Sequence, residues 1–296
     1  MQDNPESKPL ATKDIFTVAD ELIGSLKTRT GFPEIPTGIH SLDSIIWGLH
    51  RKELLVMGAR PSQGKTSLAV NVAWNVAKTG KKVLYLSLEM SAHSVLEKIL
   101  CNEFNIDGWR LRKGQSEALD HARNSLDKLK SRLVVSPITI TDNLGFKTLE
   151  LDELFNLTGP DVVFIDHLQR ISLGGQRNRQ ECLADYVQAC KTLAMKYNFA
   201  CVLASQINRQ GSASENAMDF MKGTGEIEEA ADTLLQLKWI GRDNFFADPD
   251  NKFVDKKEYN VNIIKQRHGP IEGVTLDFDV SHYRFLDRFT AVANGG

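Results

Sequence analysis

Residues 54 to 76 leave the chain few ways to fold. Leu54, Leu55, Val56 and Met57 form a short apolar run that reads as a buried strand. Gly58-Ala59-Arg60-Pro61-Ser62-Gln63-Gly64-Lys65-Thr66-Ser67 follows, and beyond it Leu68, Val70, Val72, Ala73 and Val76 recur at helical spacing. A strand, a tight loop ending in Gly-Lys-Thr and a helix start make a phosphate-binding loop. The N–H groups of such a loop and of the first helical turn carry partial positive charge and suit polyphosphate oxygens. Ala59, Ser62, Gly64, Lys65, Thr66 and Ser67 are therefore the nucleotide-binding candidates. Lys65 is expected to reach the β- and γ-phosphates, and the Thr66 hydroxyl a Mg²⁺ ion. Ala59 stands where glycine is usual, a mild departure. A chance match on an ordinary glycine loop is the alternative; the flanking strand and helix speak against it, and the expected ligand is a nucleoside triphosphate.

Two further strands end in carboxylates. Lys81 to Met90 reads as a buried strand with Glu89 at its carboxyl end, where ligands bind in open parallel sheets. Glu89 is placed to orient or deprotonate a water attacking the γ-phosphate; a helix-capping role at the strand-to-helix turn is the alternative. Val162 to Ile165 are apolar and lead to Asp166, the pattern in which a carboxylate holds Mg²⁺ directly or through water. Asp161, at the start of that run, reads as an ordinary turn residue. Ala200 to Gln206 reads as another strand, whose final amide can sense the γ-phosphate or its water.

Composition excludes several classes. Hydrophobic content of 42% and charged content of 25% are ordinary for a globular chain. No apolar run approaches a membrane span, and the first residues lack a signal-peptide core. The four cysteines form no CxxC pair, so neither a zinc site nor a disulfide framework is expected, and a cytoplasmic location follows. With a net charge of −2, nucleic-acid contact must come from local basic patches.

The remaining segments carry weaker signals. Residues 1–11 are polar and expected to be disordered; Thr12 and Asp14 can cap a helix whose Ile15, Ala19, Leu22 and Leu26 share one face, stopped by Gly31 and Pro33. Such a short amphipathic helix either folds back on its own domain or docks on a neighbouring subunit. Residues 92–131 read as helical and charged, without evident chemistry. Residues 170–180 carry Gly174-Gly175 with Arg177 and Arg179, and 207–225 form a long polar stretch with Arg209 and Lys222. Phosphate contact and a plain solvated loop are both open readings of the first, and long loops of the second kind are commonly functional or disordered. Tyr259 to Ile264 alternates as a strand and delivers Lys265 and Arg267 to a turn, either an anion clamp or a simple exposed basic turn. The tail from Phe285 reads as frayed.

Taken in order, Gly58 to Thr66, Leu86-Ser-Leu-Glu-Met90, Ile165-Asp166, Ser205-Gln206-Ile-Asn208-Arg209, Gly225 to Asp232 and Lys265-Gln-Arg-His-Gly269 resemble the RecA-fold motor domain of DnaB-family replicative helicases. The likeness covers roughly residues 31 to 288, and the helix within 12–30 resembles that family's linker helix. It implies an α/β fold: a RecA-like P-loop NTPase with a mostly parallel central sheet flanked by helices, preceded by a short linker helix. Residues 289–296 are left as a flexible tail. The resemblance further implies ATP and Mg²⁺ as cofactors and a hexameric ring moving 5′ to 3′ on single-stranded DNA, with a primase and a helicase loader as partners. Under it Glu89 matches the catalytic glutamate and Gln206 the γ-phosphate sensor. Lys65 acts with them, and Lys265 and Arg267 match the cations that reach a neighbour's nucleotide. Arg177, Arg179, Arg209 and Lys222 fall in stretches matching the two DNA-facing loops.

Three departures accompany the resemblance. Bacterial members carry a helical amino-terminal domain where this sequence has about thirty residues before the motor; a phage or mobile-element type, or a shortened chain, would account for that, and primase binding and the amino-terminal collar are not implied. His167 follows Asp166 where the family usually has Tyr. Lys222 replaces a frequent Arg, keeping the point charge but losing bidentate geometry. The competing readings are a RecA- or KaiC-like recombinase or regulatory ATPase that assembles on a partner without unwinding, and a non-enzymatic loader or ring subunit. The Lys-Gln-Arg turn and the linker helix favour the helicase; the filled catalytic positions disfavour the loader.

Overall fold

The computed structural model describes residues 14–27, 31–142, 148–166, 179–206, 225–242 and 256–288. The chain divides after Phe32 into two units. In the first, helix α1 (Ile15–Lys27) begins where expected. Asp14 Oδ1 accepts from the N–H groups of Phe16 and Thr17 at 2.9 and 3.0 Å, as an N-cap does.

The second unit is built on one sheet. The described residues form nine strands: β1 (Leu54–Ala59), β2 (Val83–Ser87), β3 (Ile138–Thr141), β4 (Val162–Asp166), β5 (Ala200–Gln206), β6 (Thr233–Trp239), β7 (Lys256–Gln266), β8 (Gly273–Asp279) and β9 (Arg284–Asp287). Their spatial order is β3-β2-β4-β5-β1-β6-β7-β8-β9. The pairings from β3 to β6 are parallel, and those from β6 to β9 antiparallel. β1 is therefore central, buried along its whole length, as a parallel strand covered on both faces must be.

Strand alternation divides the core in two. Leu55, Met57 and Ala59 face one apolar cluster, and Leu54 and Val56 the other. The first cluster is completed by α2 (His40–Ile46), α3 (Lys65–Lys78), α4 (Ala92–Phe104) and α6 (Ser116–Val135), with the short α5 (Gly108–Arg112) between the last two. The second takes α7 (Thr148–Thr158), α8 (Arg179–Tyr197) and α9 (Gly225–Ala230). α3 is buried nearly all round, from Ser67 to Ala77. Such a helix must be shielded by others, here by α4 and the carboxyl-terminal strands.

Two expectations change. Asp161 is an anchor rather than a turn residue: it accepts from Arg51 Nη2 at 2.5 Å and from the Lys82 N–H at 2.7 Å, joining the starts of β4 and β2. The chain beyond Phe285 is not frayed through 287, because β9 pairs with β8 and Phe285 is buried. Asp287 also accepts from the N–H groups of His40 and Ser41 at 2.8 and 2.9 Å, capping α2. β3, β8 and β9 are not evident in the sequence, whereas β1, β2, β4 and β5 fall where apolar runs predict them, and β7 contains the alternating stretch from Tyr259 to Ile264 but begins earlier, at Lys256.

Candidate nucleotide site

Register brings four carboxyl ends together. β2, β4, β5 and β1 are successive neighbours, with Ser87 level with Asp166, Asp166 with Ala204, and Gln206 with Ala59. Glu89, Asp166, Gln206 and the phosphate loop thus share one edge of the sheet. From β2 to β1 is three strand spacings, about 14 Å, a width that a triphosphate and its side chains can bridge.

The loop itself turns sharply. Ser62 and Gly64 both have positive φ, 61° and 77°, and Gly64 is the N-cap of α3. A side chain at Gly64 would be strained at that φ and would press on the Tyr259 hydroxyl, 3.3 Å from an added Cβ. Leu68 is the first residue of α3 to bond within the helix, to the Gly64 carbonyl at 2.9 Å. The N–H groups of Lys65, Thr66 and Ser67 consequently face outward from the helix start and need external acceptors. Phosphate oxygens are suited to that role.

Charges at the edge are coupled. Burial lowers the Lys65 pKa, while Asp166 and Glu89 act in the opposite direction, so both carboxylates lie within electrostatic reach of the ammonium. Asp166 is almost fully buried, at 1% exposure. Tyr85, a residue the sequence does not single out, donates its hydroxyl to Asp166 Oδ2 at 3.0 Å, and the Leu88 N–H donates to the Asp166 carbonyl at 2.6 Å. Burial, then the negative charge of Asp166, drives the Tyr85 pKa well up, which keeps it a neutral donor. Hydroxyl and carboxylate oxygens, from Thr66 and Asp166, are the hard ligands a Mg²⁺ ion takes, with waters and phosphates completing its shell. Glu89 is exposed at the same edge. Ser91 is the N-cap of α4 and accepts from the Ser94 N–H.

Lys265 and Arg267 are not part of this edge. β7 runs antiparallel, pairing Lys265 with Leu234 and Gln266 with Thr233, and Thr233 is level with Leu55 at the start of β1. From there to Ala59 is four residues, about 13 Å along the strands, with β6 intervening. A register shift between Leu234 and Leu235 leaves Ile264 as an extra residue just before the two cations, the kind of bulge that re-aims side chains. Lys265 Nζ donates to the Glu228 carbonyl at 2.5 Å, and Arg267 Nε lies 3.3 Å from Asp232 Oδ1. Arg267 keeps a half-exposed side chain, 49% accessible. Burial, then the charge of Arg267, lowers the Lys265 pKa.

Arg177, Arg209 and Lys222 lie outside the described residues. Arg179 opens α8. The chain reaches their segments from the carboxyl ends of β4 and β5, which are adjacent.

One neighbour of the site sits on a helix whose sequence looks chemically plain. Lys98, on α4, donates to Ser67 Oγ at 3.3 Å. The available signal is a lysine three residues from each of Val95 and Cys101, both fully buried.

The family described as DnaB-like helicase C-terminal domain matches residues 34–287. The replicative DNA helicase DnaC of Bacillus subtilis is 32% identical over 286 residues, which cover 93% of this chain and 61% of that protein. The chain thus spans about three-fifths of the length of that relative. Among solved structures, one ATPase domain matches with a TM-score of 0.80 at 22% identity, covering 94% of this chain and all of that one. A DnaB-like replicative helicase, solved in a study of its interactions with primase, matches with a TM-score of 0.79 at 22% identity, covering 93% of this chain and 69% of the other. These two likenesses bear on the fold: the mostly parallel RecA-like sheet is as expected, with an antiparallel extension at β7 to β9.

Proposed function

The chain belongs to the DnaB-like helicase C-terminal domain family, and on that premise we propose that it is an ATP-driven motor translocating 5′ to 3′ on single-stranded DNA as a hexameric ring. One observation carries the reading furthest. Lys65, Glu89, Asp166 and Gln206 meet at one edge of the sheet, while Lys265 and Arg267 stand at the other end of their strands. A site without these two cations in one chain, and two cations away from any such site, fit a ring in which each nucleotide lies between two copies.

In that ring the outward N–H groups of Lys65, Thr66 and Ser67 bind the phosphates together with the Lys65 ammonium. Ala59, Ser62 and Gly64 shape the loop. Thr66 and Asp166 hold Mg²⁺, which supplies charge neutralisation at the phosphates. Glu89 accepts a proton from, or orients, the attacking water, and Gln206 reads the γ-phosphate from the neighbouring strand. Arg267 and Lys265 leave Asp232 and the α9 carbonyls to meet the γ-phosphate bound by a neighbour. Such an arginine contributes about 10³- to 10⁵-fold in rate. The segments carrying Arg177, Arg179, Arg209 and Lys222 follow adjacent central strands, and contact DNA phosphates without sequence preference and with strong salt dependence. A helicase loader, and a primase where a longer protein carries the amino-terminal domain, are the further partners, and a bacterial or phage-infected cytoplasm is the setting. In the described residues no helix is long and apolar enough to cross a membrane.

The test is strand separation on a forked duplex with ATP and Mg²⁺. Wild type is expected to unwind only forks bearing a 5′ tail, and Glu89→Gln to lose about 10²- to 10⁴-fold in hydrolysis while still binding nucleotide. Hydrolysis without strand separation would instead support the regulatory or recombinase reading, which family membership does not favour.

A further inference from the structure

Lys98 has no part in the motifs above, yet it is buried against the first turn of α3. Its side chain lies on α4 with the residue 9% exposed. Nζ donates to Ser67 Oγ at 3.3 Å and stands 4.0 Å from the centroid of the Tyr283 ring. Its neighbour Glu97 is held by Arg112 at 2.7 Å. Among the described residues, the contacts of the ammonium are thus a hydroxyl and an aromatic face, with no carboxylate at ion-pair distance. Burying a charge in this way is costly. Burial, then the nearby Arg112, lowers its pKa from 10.5 to about 8, while Glu97, Cys101 and Asp166 pull the other way.

The surroundings hold it in place. Asn71, one turn after Ser67 on α3, donates Nδ2 to the Tyr283 carbonyl at 2.7 Å and accepts at Oδ1 from the Phe285 N–H at 2.9 Å. Gly108 approaches the Tyr283 ring so closely that a Cβ would collide with it, and its N–H donates to the Ser281 carbonyl at 2.8 Å. α3, α4, α5 and the β8–β9 turn therefore converge on one ammonium. Because Ser67 Oγ accepts from Lys98, the serine keeps its own proton to donate. Ser67 is also one of three residues whose N–H groups face out of the helix start.

We propose that Lys98 is a positioning residue of the nucleotide site, holding Ser67 Oγ and adding a positive charge, beyond that of Lys65, beside the turn that receives the phosphates. A cation behind this turn gains little in the free protein and gains an anion when phosphates arrive. Its burial is then a stability cost offset by binding. The proposal rests on the nucleotide-binding reading given above.

The full chain, as wild type, Lys98→Met, Lys98→Arg and Lys65→Ala, is titrated calorimetrically with Mg·ADP, and the melting temperature of each is recorded. Lys98→Met is expected to melt at or above wild type yet bind Mg·ADP about tenfold or more weakly. Lys98→Arg is expected to return affinity to within a few-fold of wild type. Wild-type affinity in Lys98→Met, with binding lost in Lys65→Ala, would overturn the role of Lys98 and leave the nucleotide site standing. Weakened binding in both Lys98 variants with lowered melting temperatures would also overturn it, in favour of a packing role. If wild type itself shows no binding, both readings fall.

Discussion

At the scale of the residue, charge is informative when it sits where water cannot reach. Lys65 and Thr66 are legible from their neighbours in the chain, because a phosphate loop is a local structure. Lys98 is not, because the groups that surround it come from α3, α5, β4 and the β8–β9 turn. Its burial makes a prediction about stability. The folded-state pKa, about 8, lies below the 10.5 of the exposed side chain, so between those values the unfolded chain binds more protons. The charge penalty is full below about pH 8 and is relieved as pH rises toward 10.5. Lys98→Met should accordingly be the more stable protein at neutral pH, by an amount on the order of 3 kcal/mol at most, and the gap should narrow above pH 8. Urea unfolding of the two proteins at neutral and alkaline pH checks this. A gap that widens with pH would mean that the fold favours the charged lysine instead of penalising it.

At the scale of the element, caps and register are set by distant parts of the chain. α2 has Ile39 at its N-cap position, which offers no side-chain bond, and a residue 247 positions away supplies the acceptor instead. Removing it with Asp287→Ala should cost about 1 kcal/mol, read as a lower urea midpoint without loss of Mg·ADP binding. An unchanged midpoint would mean water replaces the carboxylate at no cost. The same carboxylate explains why the region after Phe285 reads as a tail in the sequence: its four-residue strand is held by β8 and by α2, and α2 lies far away along the chain. β1, β2, β4 and β5 are legible because they are buried on both faces and read as continuous apolar runs, and β7 because its residues alternate. The partly exposed β3 and β8 carry no such run. Likewise, the bulge at Ile264 that re-aims Lys265 and Arg267 exists only relative to β6.

At the scale of the whole molecule, the two ends of the sheet predict a shared site. Lys65→Ala lacks the phosphate cation and Arg267→Ala the finger, so each should hydrolyse ATP poorly by itself. In a mixed ring, an Arg267→Ala chain retains its own Lys65 and can receive Arg267 from a Lys65→Ala neighbour. Mixing the two variants should recover part of the hydrolysis rate. No recovery, or full activity of Arg267→Ala alone, would leave Arg267 as an intramolecular partner of Asp232. The sequence by itself determined the strand, turn and helix around Gly64, the places of Glu89 and Asp166 at strand ends, the central parallel strands and the family, because each depends on a few consecutive residues and on apolar runs long enough to be buried. Only the tertiary structure decided that Tyr85 holds Asp166, that Lys98 stands behind Ser67, and that Lys265 and Arg267 lie far from their own phosphate loop. Those facts depend on strand order and register, which bring together residues with no short-range relation along the chain.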